Sequence, residues 1–123
     1  MFRIIPNEKG DQEAIQNLRA ASKEQILAAA KELVAWTEDY NWPVARHVCE
    51  ALCPYVNQLQ DHLLPILQGN DANWKVWCIR FLLGDAPVPL HPIYLTELER
   101  MVGEEGEWIA EEARDILASW RAK

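Results

Sequence analysis

The chain has 123 residues, half hydrophobic and a quarter charged, with a formal net charge of −7 from 19 acids against 12 bases. This length and balance suit one globular domain with its own core and exclude an intrinsically disordered chain. The acidic balance argues against nucleic acid, whose binding requires Lys and Arg to neutralise phosphates, and no apolar run approaches the roughly 18 residues of a membrane span.

The opening MFRIIPNEKGDQ lacks the apolar segment and small-residue cleavage site of a signal peptide, so a cytoplasmic location is expected. Asp11 to Ala20 then predicts a short helix with Ala14, Ile15 and Leu18 on its apolar side, capping the open end of a helical stack. Ser22-Lys23-Glu24-Gln25 is a capping box: the Ser22 hydroxyl accepts from the Gln25 N–H, and the Gln25 amide reaches back to Ser22. It opens a helix through Trp36 with Ile26, Ala29, Ala30, Leu33 and Val34 along one stripe. Asn41 is expected as the next N-cap, with Pro43 in the first turn, where its missing N–H costs nothing. That helix presents Val44, Val48 and Leu52, and Pro54 predicts a kink or an early stop. His62 to Gln68 reads as a short helix ended by Gly69 at C′. Asn73 is expected to cap a helix that is apolar nearly all round (Trp74, Val76, Trp77, Ile79, Phe81, Leu82, Leu83), which places it in the middle of the assembly. Pro87, Pro89 and Pro92 make residues 84–92 a loop. Ile93 to Val102 is expected to be helical and stopped by Gly103 and Gly106, and Glu107 to Arg121 forms the last helix, on Ile109, Ala113, Ile116, Leu117 and Trp120.

Three of these helical runs begin alike, at Asn41-Trp42, Asn73-Trp74 and Glu107-Trp108, with the tryptophans 32 and 34 positions apart. That period is one helix–turn–helix unit of a solenoid. The stretch from His62-Leu63-Leu64-Pro65 through Asn73-Trp74-Lys75-Val76 resembles the HEAT repeat, in which an L-L-P-bearing first helix, a turn and a second helix form the unit. The whole chain is similar to a family of small bacterial HEAT-like proteins of unknown function. The likeness is carried by Ile5-Pro6-Asn7-Glu8-Lys9-Gly10-Asp11, by Asn41-Trp42-Pro43-Val44 and by Trp74-Lys75-Val76-Trp77. It implies an all-α, HEAT-like α-α superhelix of about three hairpins plus an N-terminal capping helix. The expected division is a cap over 1–21 and units over 22–60, 61–84 and 91–121. It also implies that the second helices, starting at Asn41, Asn73 and Glu107, line a concave face, and it implies no activity.

Eight acids and only two bases lie between Glu97 and Asp115, a surface that repels nucleic acid and attracts a basic protein. Cys49, Cys53 and Cys78, with His47 close by, hold the right donors for zinc, yet their spacing on helices equally suits small core residues. Reduced thiols, with no metal and no cofactor, are the expectation. A first-turn tryptophan suits covering the end of the preceding unit, which accounts for the recurrence of Trp42, Trp74 and Trp108, while Trp77 faces another side. Arg80 and Arg114 stand six residues after their tryptophans, an offset that suggests a ladder of pairs with acids of adjacent units. No P-loop, G-x-S-x-G, H-E-x-x-H or dinucleotide fingerprint is present, so no catalytic residues are expected and the chain is read as a non-enzyme.

The expected function is therefore protein binding, of the immunity or antitoxin type, neutralising a cognate toxin by stoichiometric blockade. A general scaffold or adaptor is the alternative, followed by a small-molecule or metal-binding helical domain. The partner-binding candidates are Asp39, Tyr40, Trp42, Arg46, Glu50, Trp74, Trp77, Arg80, Trp108 and Glu111. The expected partner is another protein, in the sharpest version a basic toxin domain, with a homodimer as a further option.

Overall fold

Apolar periodicity along the chain becomes eight α-helices and no strand among residues 2–121, the part that this computed structural model describes. Helix α1 (Gln12–Ala20) starts at Asp11, whose carboxylate accepts from the Ala14 N–H at 3.1 Å. The same carboxylate holds the N-terminal segment: it accepts from the Asn7 N–H at 2.9 Å and pairs with the Arg3 guanidinium. Arg3 also bonds Glu13 at 2.6 Å, and Asn17 donates to the Arg3 carbonyl at 2.7 Å. Both arms of the Ser22–Gln25 capping box are formed, at 2.8 and 3.2 Å.

The helix expected to run unbroken to Trp36 is bent at Ala29, giving α2 (Lys23–Ala28) and α3 (Ala30–Ala35). No glycine or proline stands there. The reason is tertiary: α2 packs on the turn at 53–58 whereas α3 packs on α4 and α5, so the two halves follow different neighbours.

Helix α4 (Pro43–Leu52) has Trp42 as its N-cap, one residue later than the expected Asn41. Pro43 excludes the helical region for the residue before it, so Trp42 is extended (φ −67°, ψ 133°) and the non-helical cap falls there. Trp42 offers no side-chain acceptor, and the Val44 N–H is satisfied instead by the Lys9 carbonyl at 2.9 Å. At the other end Pro54 acts as expected: α4 stops at Leu52 and a 3₁₀ stretch (Cys53–Gln58) follows.

Helix α5 (Gln60–Leu67) precedes Gly69, which occupies C′ without a left-handed conformation. Helix α6 (Ala72–Cys78) is capped by Asp71, whose carboxylate accepts from the Trp74 N–H at 3.0 Å; the expected cap, Asn73, lies inside the helix. The carboxylate three residues ahead of Trp74 reaches the orphan N–H, so the helix begins two residues early. Beyond Cys78 the helix widens into a π turn (Ile79–Leu83), closed by the Gly84 N–H donating to the Ile79 carbonyl at 2.8 Å. Helix α7 (Pro92–Glu104) runs past the expected stop at Val102 and takes Gly103 into its last turn. That turn is braced by ion pairs of Arg100 with Glu104 at 3.2 Å and of Lys75, from α6, with Glu105. Helix α8 (Glu107–Arg121) matches expectation.

Helices α7 and α8 pack along each other, α1 lies on α4, and the π turn sits between α4 and α8. One buried cluster extends from Ile4 to Leu117 through Val48, Leu52, Leu63, Val76, Ile79 and Leu98. Truncating one of its fully enclosed side chains, such as Leu63, costs about 2–5 kcal/mol in lost transfer energy and residual cavity. The α6 helix and its π turn contact α5, α4 and α8, the central position expected of a helix apolar all round.

Candidate functional site

Tyr40 in the turn before α4, and Trp77 and Phe81 on α6 and its π turn, form one aromatic array. The Tyr40 and Phe81 rings stack with centroids 3.7 Å apart and 9° between planes. Trp77 lies 5.9 Å from Tyr40 and 6.0 Å from Phe81. Trp77 and Phe81 are four residues apart, on one side of the helix, and π turns recur at functional sites because they re-aim side chains. All three rings rest on the core and remain partly exposed.

Charged side chains frame the array. The Arg80 guanidinium stands 5.9 Å from the Phe81 centroid and pairs with Glu112 on α8. Arg46 and Glu50 pair along α4 at 3.7 Å, both well exposed. Burial pushes the Tyr40 hydroxyl above its ordinary pKa, helped by Cys49, Asp85 and Glu50 and opposed by Arg46. The arrangement offers a partly exposed aromatic cluster with charges of both signs at its edge.

The thiols nearby are chemically quiet. Burial pushes Cys49 up to about 12, raises Cys78 further, and raises Cys53. All three therefore stay protonated at neutral pH, whereas a nucleophile must be a thiolate. Among the described residues no group of three or more His, Cys, Asp or Glu is poised to hold a metal ion. No helix among them is long and apolar enough to cross a membrane.

The profile of a family described as Domain of unknown function (DUF5071) matches residues 4–120. The chain belongs to that family. The DUF5071 match spans nearly the same residues as the core, from the buried Ile4 to Trp120, which packs on the cluster. A search of curated proteins found no match.

Within this DUF5071 domain the candidate residues separate into several places. Tyr40, Trp77 and Arg80 come together at the array, with Asp39 in the adjoining turn, where its carboxylate accepts from the Asn41 N–H at 2.9 Å. Trp42 stands apart, edge-to-face on Trp36 at 5.6 Å with the Lys9 ammonium 5.5 Å from its ring. Trp74 covers the end of α3, as expected of a first-turn tryptophan, and its indole N–H donates to the Thr37 hydroxyl at 2.9 Å. Trp108 departs from that role: it is 47% exposed. It sits one position, about 100°, off the stripe of Ile109, Ala113 and Leu117 that α8 buries, so it cannot cover a neighbour. Glu111 faces solvent. The arginine ladder forms only once: Arg80 crosses to α8, but Arg114 pairs with Glu107 of its own helix at 3.1 Å.

Sequence reasoning passed over Phe81 and Glu112 as site residues. The i, i+4 spacing of Trp77 and Phe81 was an available signal. Nothing local marks Glu112, since its partner lies on another helix.

Proposed function

We propose that this chain is a non-catalytic protein-binding module of the immunity or antitoxin type, which neutralises a toxic effector domain by stoichiometric blockade. In this reading the helices pair as HEAT-like hairpins, and α4, α6 with its π turn, and α8 are the second helices of one binding face. The observation that carries the reading is the Tyr40–Phe81–Trp77 array. It is an ordered, partly exposed aromatic surface of the kind that anchors interfaces, with Arg46, Glu50, Arg80 and Glu112 at its rim. The rings are held by the core before any partner arrives, so little side-chain freedom is lost on docking. The net charge of −7, concentrated toward α7 and α8, accelerates encounter with a basic effector and weakens with salt.

The test is co-expression with any toxin-like gene that adjoins this one, followed by size-exclusion chromatography of the two purified proteins. Protection of the cells and a one-to-one complex, weakened by salt and by Trp77→Ala or Arg80→Glu, are expected. Cells left unprotected, with no complex at low salt, would sink the immunity reading. A complex indifferent to both substitutions would move binding away from the array.

A further inference from the structure

Apart from the aromatic array, a cleft of about 430 Å³ opens between α3, α5 and the first turn of α6. That lies within the range of small-ligand pockets, with room for a two-ring molecule rather than a peptide. Its walls are Val34 and Ala35 of α3, Pro65 and Ile66 of α5, and the Trp74 ring. Small residues keep it open. Ala35 contributes only a methyl group, and a Cβ on Gly69, just after α5, would lie 3.0 Å from the Pro65 carbonyl oxygen.

The polar groups beneath these walls are already paired. The Trp74 indole N–H donates to the Thr37 hydroxyl at 2.9 Å, so the cleft meets the ring rather than its donor. The Val34 carbonyl accepts from the Thr37 N–H at 3.0 Å and from the Thr37 hydroxyl at 2.6 Å. The Ile66 carbonyl accepts from the Gly69 N–H at 3.1 Å, and Pro65 has no N–H to offer. Water in the cleft therefore finds few partners on these walls, and releasing it to an apolar guest is favourable. At the mouth Lys31 and Asp61 are exposed and opposite in charge, so they stay hydrated and select neither an anion nor a cation.

We propose that this cleft binds a small uncharged aromatic molecule, with its ring against the Trp74 indole and its edges on Val34, Pro65 and Ile66. Such a guest gains ring–ring contact beyond the apolar area that it buries, whereas a charged one gains nothing from walls that carry no charge. The cleft shares no residue with the aromatic array, so the proposal stands apart from the protein-binding reading.

The test titrates 2-naphthol into the full chain and follows it by ¹H–¹⁵N NMR. Decahydro-2-naphthol serves as the saturated counterpart, and 2-naphthoate and 2-naphthylmethylamine as counterparts of either charge. Saturable shifts at Val34, Ala35, Ile66 and Trp74 are expected, with 2-naphthol binding about three- to tenfold tighter than its saturated form. Neither charged probe should bind more tightly than 2-naphthol. Ala35→Phe, a change on the exposed side of α3 that fills the cleft, should weaken 2-naphthol by about tenfold or more while leaving the thermal midpoint in place. Equal binding of the aromatic and saturated probes, or clear preference for a charged one, would overturn the assignment. So would an Ala35→Phe variant that binds as wild type does, or the absence of any saturable shift around the cleft.

Discussion

The Tyr94 hydroxyl, enclosed in α7, donates to the main-chain carbonyl of Val56 at 2.5 Å, tying the last hairpin to the 3₁₀ turn after α4. Asn57 reinforces the tie: its amide donates to the Pro89 carbonyl at 2.7 Å and accepts from the His91 N–H at 2.8 Å. The C-terminal end of the proline-rich loop is therefore pinned to the turn that follows α4. Tyr94→Phe removes the bond and keeps the ring. Because the Val56 carbonyl still accepts from the Leu59 N–H, the cost should be about 1 kcal/mol in urea unfolding.

The same hydroxyl has a pH signature. Burial raises the Tyr94 pKa above its ordinary value, so the neutral form is favoured in the folded state. Its contribution is fully present below the unfolded value of about 10 and is lost as pH rises through the folded one. Wild-type protein should lose stability more steeply above that pH than Tyr94→Phe. Parallel curves would show that the hydroxyl does not titrate with unfolding.

Gly84 closes the π turn where α8 approaches. A Cβ there would lie 2.5 Å from the Arg80 carbonyl oxygen and 2.9 Å from the Ile116 Cδ1, and the backbone atom cannot give way. Gly84→Ala should cost about 1–3 kcal/mol by overpacking and shift the tryptophan emission as Trp77 and Phe81 move. An unchanged unfolding midpoint would mean the π turn relaxes freely.

Thiol reactivity should follow burial. Cys49 and Cys78 are enclosed, with pKa values pushed up to about 12 and beyond, while Cys53 is only partly covered. At pH 8, alkylation read by mass spectrometry should modify Cys53 first, and all three at similar rates once urea unfolds the chain. Since folding raises these pKa values, their share of stability is present below the unfolded thiol range and is lost as pH climbs from about 9 towards 12. Rapid native alkylation of Cys49 would contradict the packing of α4.

Asp11 acts in the opposite direction. The Arg3 guanidinium, then the Asn7 and Ala14 N–H groups, hold its carboxyl well below the usual carboxylate range. Its contribution is present above the unfolded value of about 4 and is lost as pH falls through the folded one. Asp11→Asn should be less stable at neutral pH and converge on wild type at strongly acidic pH. A constant gap down to the lowest pH would assign the effect to the helix cap rather than to the charge.

Local signals proved readable where they act within three or four residues. The capping box at Ser22, the stop before Pro54 and the bounds of α8 all follow from side chains next to the backbone they influence. The proline-rich loop ends at His91, one residue before the expected Pro92, which opens α7. Where two local signals competed, the nearer constraint decided: Pro43 set the cap at Trp42, and the Asp71 carboxylate displaced Asn73.

By itself the sequence determined an all-helical chain, most of its helix ends and which side of each helix is apolar, because turn periodicity and capping are short-range chemistry. Only the tertiary structure decided that Tyr40 meets Phe81, that Arg80 crosses to Glu112 while Arg114 does not, and that Trp108 is left in solvent. It also decided the bend at Ala29. These depend on how helices distant in the chain are set against one another. A helix's apolar stripe says that it packs, but its neighbours' shapes decide against what.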